Sequence, residues 1–187
     1  MMKFLIGFFF SLIALLAAEK DPTAFQLIKE GDRYVGEQAK DKVVQIRSEK
    51  SVGSLTPKIW YVVYYDPTAT FKAVEVKFAA GKMIDVKRPF RVLETISSAS
   101  REMDKDKLKI DSDEAINKAL KEPILENVKV KAVEAKLENS DIGPAWQIRL
   151  WAEKVNNARE TADLGKFTVS ADDGKVIETD IHLNRLD

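Results

Sequence analysis

Apolar and polar positions along this chain alternate with two periods, and the switches between them mark the elements. Leu27, Ile28, Tyr34 and Val35 recur in pairs seven apart, one face of a helix running from an Asp21-Pro22 start to about Gln38. Asp21 is placed to cap free N–H groups there, and Pro22 to take the first helical position. Val43-Val44-Gln45-Ile46 then reads as a strand, followed by the aromatic run from Ile59 to Tyr65, which the turn Asp66-Pro67 ends. Val74, Val76 and Phe78 alternate with Glu75 and Lys77, the mark of a half-buried strand, and Ala80-Gly81-Lys82 turns it into Met83 to Val86.

The second half of the chain repeats this order. Asp111 with Glu114 three residues on forms a capping-box pattern, and Ala115, Ile116, Ala119 and Leu120 give the following helix its apolar face. Pro123 stops that helix, and Val128, Val130 and Ala132 open a long strand. Trp146, Ile148 and Leu150 alternate with Gln147 and Arg149, and Phe167, Val169 and Ala171 lead through Asp173-Gly174 into Val176 and Ile177. Val74, Val76 and Phe78 stand at the same offsets before Gly81 as Phe167, Val169 and Ala171 before Gly174. Upstream, Trp60-x-Val62-x-Tyr64 matches Trp146-x-Ile148-x-Leu150, but Trp and Gly lie 21 apart in the first unit and 28 in the second, which predicts a longer loop around Asn156 to Asp163. The spacing favours an internal duplication: a first unit over residues 19–93, a connector over 94–110 and a second unit over 111–187. Ser97, Ser98, Ser100 and the alternating Asp104-Lys105-Asp106-Lys107 make the connector a solvated one with room for one helical turn. The expected fold class is α+β, two tandem units, each one helix packed on a small antiparallel sheet.

Residues 1–18 read as a processing signal: Lys3 supplies the positive start, Phe4 to Leu16 the apolar stretch, and small Ala17 and Ala18 precede the charged Glu19-Lys20-Asp21. Cleavage after Ala17 or Ala18 is expected. The position three before either cut is Leu15 or Leu16 rather than a small residue, which keeps an uncleaved anchor as the alternative and the sole route to membrane contact. With the first 18 of 187 residues removed, 169 remain, carrying 29 basic and 30 acidic side chains. That balance speaks against a nucleic-acid coat. The absence of cysteine excludes a lipoprotein signal and disulfides, and an exported chain of this kind suits a bacterial envelope, periplasmic or secreted.

The helix, the antiparallel strands and the closing hairpin Phe167-Thr168-Val169-Ser170-Ala171-Asp172-Asp173-Gly174-Lys175-Val176 resemble PepSY domains and the periplasmic proteins that carry two such modules. The likeness covers residues 111–182 well and residues 22–87 more weakly, where Ala79-Ala80-Gly81-Lys82 replaces the acidic turn. The resemblance implies a binding or inhibitory module without its own chemistry, as in protease propeptides and exported proteins, and it carries no catalytic residue over.

The residues offer little to an enzyme. His182 is the one histidine, there is no cysteine, and the glycines are scattered rather than gathered into a phosphate loop, so no catalytic residue, metal ligand or cofactor is assigned. Asp172-Asp173-Gly174 lacks calcium ligands two and four residues before Asp173, where Ala171 and Val169 stand, and reads as a hairpin turn. Two surfaces carry the functional expectation. If Trp60, Val62 and Tyr64 face the helix, then Ile59, Tyr61, Val63 and Tyr65 face the other way and need a cover, either internal (the second unit or the connector) or a partner protein or peptide. The second surface is the basic stretch Lys72, Lys77, Lys82, Lys87, Arg88 and Arg91, with Lys82, Arg88 and Arg91 the candidates for binding an anionic envelope polymer; export makes nucleic acid an unsuitable ligand. The expected function is a non-enzymatic exported binding module, inhibitory toward a protease or other hydrolase or binding a peptide. The alternatives are a structural envelope protein that associates with itself and, more distantly, a hydrolase with an acidic pair.

Overall fold

The computed structural model describes residues 21–88 and 102–187. Two short helices, α1 (Ala24–Gly31) and α2 (Ser112–Leu120), lie with eight strands: β1 (Val43–Ser48), β2 (Ile59–Tyr65), β3 (Ala73–Ala79), β4 (Lys82–Lys87), β5 (Val130–Ser140), β6 (Gly143–Lys154), β7 (Asn157–Ser170) and β8 (Val176–Ile181). All strands pair antiparallel in one sheet of order β4-β3-β2-β1-β5-β6-β7-β8. The expected α+β class with two separate helix-on-sheet units is therefore wrong: the protein is mostly β, and its strands form a single continuous sheet. Helix followed by four strands does occur twice, but each set leaves the backbone of its first strand open, and these two edges satisfy each other.

That seam has a specific chemistry. Gln45, Ile46 and Arg47 pair with Glu138, Leu137 and Lys136, after which β1 diverges from β5. Two buried hydroxyls take over the ladder: Ser48 Oγ accepts from the Ala135 amide and Ser51 Oγ from the Val133 amide, each at 2.9 Å. The Ser51 amide in turn donates to the Val133 carbonyl at 2.8 Å.

Both helices pack on one side of the sheet. Trp60, Val62 and Tyr64 of β2 and Trp146, Ile148 and Leu150 of β6 point there, with Val76, Phe78, Leu137, Phe167 and Val169 in the same core. The first helix is shorter than its apolar spacing predicts and begins later, with Thr23 at its N-cap and the Gln26 side chain accepting from the Thr23 amide. It ends at Gly31 because the Tyr64 hydroxyl rises from β2 into its last turn, donating to the Ile28 carbonyl at 2.9 Å. A Cβ on Gly31 would lie 2.2 Å from that hydroxyl, so glycine is what lets the helix sit so close to the strand. At α2, Asp111 is the N-cap as expected, but Glu114 does not complete a box and faces Lys118 at 3.5 Å instead. The two helix starts meet: Asp111 Oδ1 accepts from the Ser112 amide at 2.6 Å and from the Phe25 amide of α1 at 3.1 Å, while Ser112 Oγ accepts from the Ala24 amide at 3.0 Å.

One further expectation fails. The extra residues between Trp146 and Gly174 make no loop; they lengthen the β6–β7 hairpin, whose ladder runs to Lys154 and Asn157. Of the connector, residues 102–110 are tied to the sheet at both ends, the Met103 amide donating to the Val43 carbonyl and the Lys109 and Ile110 amides to the Ala171 carbonyl with Met103 buried, while Asp104, Lys105, Asp106 and Lys107 between them are exposed. A 3-10 turn, Lys105–Lys107, supplies the helical turn there. The signal segment and residues 94–101 lie outside the described residues.

Candidate functional site

The helices leave the other face of the sheet to side chains of the opposite parity. On β2 these are Ile59, Tyr61, Val63 and Tyr65, as the alternation predicts. Val63 is buried in a small cluster with Val44 and Ala73, against which Tyr65 packs, and Ile59, Tyr61 and Tyr65 are half-buried. Among the described residues, the cover over the aromatic rings comes from long cationic side chains of the sheet and its loops, not from the second unit's core or from a connector. Arg47 and Lys77, on the strands flanking Tyr61, hold their charges 4.4 and 4.8 Å from its ring centre. Lys42 lies 5.9 Å from the Tyr65 ring. In the other half of the sheet, Lys50 and Arg149 flank the Trp151 ring at 4.5 and 5.6 Å. The apolar stems of Lys and Arg cover a ring while their heads stay wet, so this face is both solvated and aromatic.

Carboxylates fix the cations in turn. Glu75 holds Arg47 at 2.7 Å, and Glu49 holds Lys77 at 3.2 Å while accepting from the Tyr61 hydroxyl. The Tyr61 hydrogen bond holds the Glu49 carboxyl below the usual range against the opposing effect of burial, and Lys77 adds to it. One row crosses all eight strands: Asp85, Lys77, Tyr61, Arg47, Lys136, Gln147, Thr168 and Glu178. At the seam this row sets Arg47 directly opposite Lys136, an unfavourable like-charge pair. Glu138 offsets it, meeting Lys136 at 2.6 Å and accepting from Gln45 and Gln147.

The proposed anion triad is not brought together. Lys82 opens β4 and Arg88 follows its end, about 20 Å away at the rise of a strand. Arg88 faces the buried carboxylate of Asp66 at 3.7 Å, and Arg91 lies outside the described residues. Lys72 donates to the Pro67 carbonyl, Lys77 is held by Glu49 and Lys87 by Asp85. The acidic turn is a hairpin: Lys109 pairs with Asp172 and Lys175 with Asp173, and the Lys175 side chain, then its amide and the Ser170 hydroxyl, hold the Asp173 carboxyl well below its usual range. His182 Nε2 meets Asp180 at 3.0 Å on the exposed side of the sheet.

Sequence reasoning missed the polar groove in the C-terminal half of this face. Its floor and walls come from four strands and the C-terminal turn: Glu134 and Lys136 (β5), Gln147 and Arg149 (β6), Gly165 and Lys166 (β7), Asp180 (β8), His182 and Arg185, around about 410 Å³. Gln147, Arg149 and Lys166 have an outward parity legible in the chain. Glu134 and Lys136 do not, since they share the parity of Val130 and Ala132 and are turned outward by the shift between those two, and Gly165 and Asp180 are placed by shifts in the β6–β7 and β7–β8 ladders. Among the described residues, no helix is long and apolar enough to cross a membrane, and no group of three or more His, Asp or Glu side chains is placed to hold a metal ion. Comparison with protein-family models, with curated proteins and with solved structures returns no match.

Proposed function

We propose that this chain is an exported, non-enzymatic binding module of PepSY-like type, which docks a protein or peptide on the helix-free face of its sheet around Tyr61. The observation that carries the reading is the state of that tyrosine. It is half-buried, its ring flanked by Arg47 and Lys77 and its hydroxyl held by Glu49. A rigid aromatic beside a fixed guanidinium has the composition of a binding hot spot, and a ring already held in place loses little entropy on docking. Trp151 with Lys50 and Arg149 repeats the arrangement across the seam. Three strand spacings and four residues along a strand put the two aromatic centres about 20 Å apart, within one interface of about 800 Å² per partner. The order helix then four antiparallel strands, present twice, supports the PepSY-like reading, and an exported hydrolase held inactive is the partner class which that likeness implies.

The test is capture from the source organism's envelope extract by the mature chain and by its Tyr61→Asp variant side by side. The expected result is a protein retained by the unaltered chain and lost by the variant, with the bound partner protecting β1, β2 and β6 from hydrogen exchange. The variant keeps its fold: losing two cation–π contacts and one hydrogen bond costs about 1.5–3.5 kcal/mol, less than the roughly 5–15 kcal/mol that holds a domain folded. Equal capture by both chains, or self-association in place of a heterologous partner, would sink the proposal.

A further inference from the structure

We infer that the cavity beside the segment that follows α1, on the helix side of the sheet, is a binding site for an ammonium or guanidinium group carried on an unbranched aliphatic chain, and that Arg88 is its loosely held occupant within this chain. The site lies on the opposite face from Tyr61 and does not depend on the docking proposed there.

The cavity holds about 410 Å³ between that segment, the β2–β3 turn and the outer strands β3 and β4. Its depth and its mouth are different in kind. Val35, Val74 and Asp66 are buried, at 9%, 4% and 3% exposure, and form the floor, while Tyr34, Val86 and Arg88 stand exposed around the opening. Tyr34 is nevertheless fixed as a wall: its hydroxyl donates to Glu30 at 3.0 Å and its ring meets that of Phe78 edge-on, the centroids 6.5 Å apart.

The charge on the floor decides what fits. Asp66 Oδ1 accepts from the Thr68 amide at 2.8 Å and from the Thr68 hydroxyl at 2.6 Å. Burial pushes this carboxyl up, but the Thr68 bonds, with Arg88 and the Ala69 amide, outweigh it and keep the group ionised at neutral pH. The other oxygen does have a counter-charge in Arg88, yet at 3.7 Å, beyond hydrogen-bond distance, and from a side chain that is 68% exposed. Arg88 stands one residue past the end of β4 and keeps most of its side chain in water. A carboxylate this deeply buried is stabilised most by a cation that reaches it at about 2.7–2.9 Å. A cation entering from outside on a slim stem makes that contact while Val35, Val74 and Val86 cover its methylenes. An anion is repelled by Asp66, and a neutral apolar chain leaves the carboxylate as it was. The lysine or arginine side chain of a partner and a free alkylamine both have the required chemistry.

The test is an NMR titration of isotope-labelled mature chain with N-acetyl-lysine methylamide, N-acetyl-arginine methylamide, cadaverine and the neutral N-acetyl-norleucine methylamide. The three cations should shift the amides of Val35, Gly36, Thr68 and Val74 saturably, and the norleucine compound should bind at least about tenfold more weakly. Tighter binding of the two capped residues assigns the site to a protein side chain, and tighter binding of cadaverine to a free amine. Asp66→Asn should weaken the cations by the same factor. Arg88→Ala removes the competing guanidinium and should tighten them about fivefold, as expected of a largely exposed ion pair. That variant alters one exposed side chain, so it reads out even where Asp66→Asn fails to fold, and amide dispersion shows which variants are folded. Norleucine binding as tight as lysine, no shifts at these amides up to millimolar cation, or an Arg88→Ala chain that binds the cations no more tightly than the unaltered one would overturn the inference.

Discussion

Asp111 joins the starts of the two helices, and its removal should be costly beyond what one helix cap explains. Its Oδ1 accepts from the Ser112 amide of its own helix and from the Phe25 amide of α1. The first four amides of a helix have no partner within it, so Asp111 satisfies orphan donors of two helices whose dipoles both favour its charge. Loss of an N-cap costs about 0.5–2 kcal/mol. Leaving the part-buried Phe25 amide without an acceptor adds about 1–2 kcal/mol, and the expected total for Asp111→Ala is about 3 kcal/mol. In a chain of this size that lowers the Tm by about 6–12 °C. Asp113→Ala is the control: its carboxylate accepts from the Glu114 amide in the exposed first turn, and its loss should cost about 0.5 kcal/mol. Asp111→Asn keeps an acceptor and should fall between the two. Urea unfolding followed by circular dichroism gives all three values. An Asp111→Ala loss no larger than that of Asp113→Ala would show that the link to α1 contributes nothing and that the helices are held by apolar packing alone.

Ser48→Ala and Ser51→Ala each strip a buried β5 amide of its acceptor at the seam and should each cost about 1–3 kcal/mol, with hydrogen exchange at Ala135 and Val133 accelerating selectively; unchanged exchange there would refute the role given to the hydroxyls. In acid, burial pushes the Asp66 carboxyl up, but hydrogen bonds from the Thr68 hydroxyl and amide, with Arg88 nearby, outweigh it and hold it below its unfolded value; Asp163 is lowered in the same way by Arg149 and the Gly165 amide. Their contribution is thus present above about pH 4 and lost as the pH falls through the lower folded values, so Asp66→Asn should flatten the acid limb of a Tm–pH curve, and an unaltered limb would count against it. In base the sign reverses: burial raises the Tyr64 hydroxyl, so its contribution is present below about pH 10 and lost as the pH rises, and phenolate absorbance should show Tyr64 ionising only as the chain unfolds.

The elements and their faces were legible because strand parity is a local property: Trp60, Val62 and Tyr64 inward and Tyr61, Val63 and Tyr65 outward follow from alternation alone. What joins one strand to another was not. The pairing of Gln45, Ile46 and Arg47 with Glu138, Leu137 and Lys136 links residues about ninety positions apart, and nothing in either segment names the other. The early end of α1 has the same origin, since Leu27, Ile28, Tyr34 and Val35 continue the helical period but Tyr64, far along the chain, occupies the place of the next turn. The groove between Glu134 and Lys166 depends on a ladder shift as well as on parity, and so it needed three-dimensional register to be seen.

The duplication pattern reaches one feature that bears on self-association. In β4 the ladder shifts so that Phe78 pairs with Met83 and Lys77 with Asp85, leaving Ile84 as an extra residue; in β8 it shifts so that Val169 pairs with Val176 and Thr168 with Glu178, leaving Ile177. The two bulges stand three residues after Gly81 and Gly174, and both isoleucines are exposed, at 54% and 43%. These are the two outer strands of the sheet. A bulge twists an edge and breaks the even spacing of amides and carbonyls that a further strand would need, and the charged Lys82, Asp85 and Lys87 on one edge and Glu178 and Asp180 on the other add a desolvation cost. Growth by strand addition, the simplest route for an open sheet to pack against copies of itself, is therefore opposed at both ends, while the pair of edges that could join without bulges, β1 and β5, is already joined within the chain. We therefore place the proposed docking on the broad helix-free face, with its fixed aromatics, rather than on either edge.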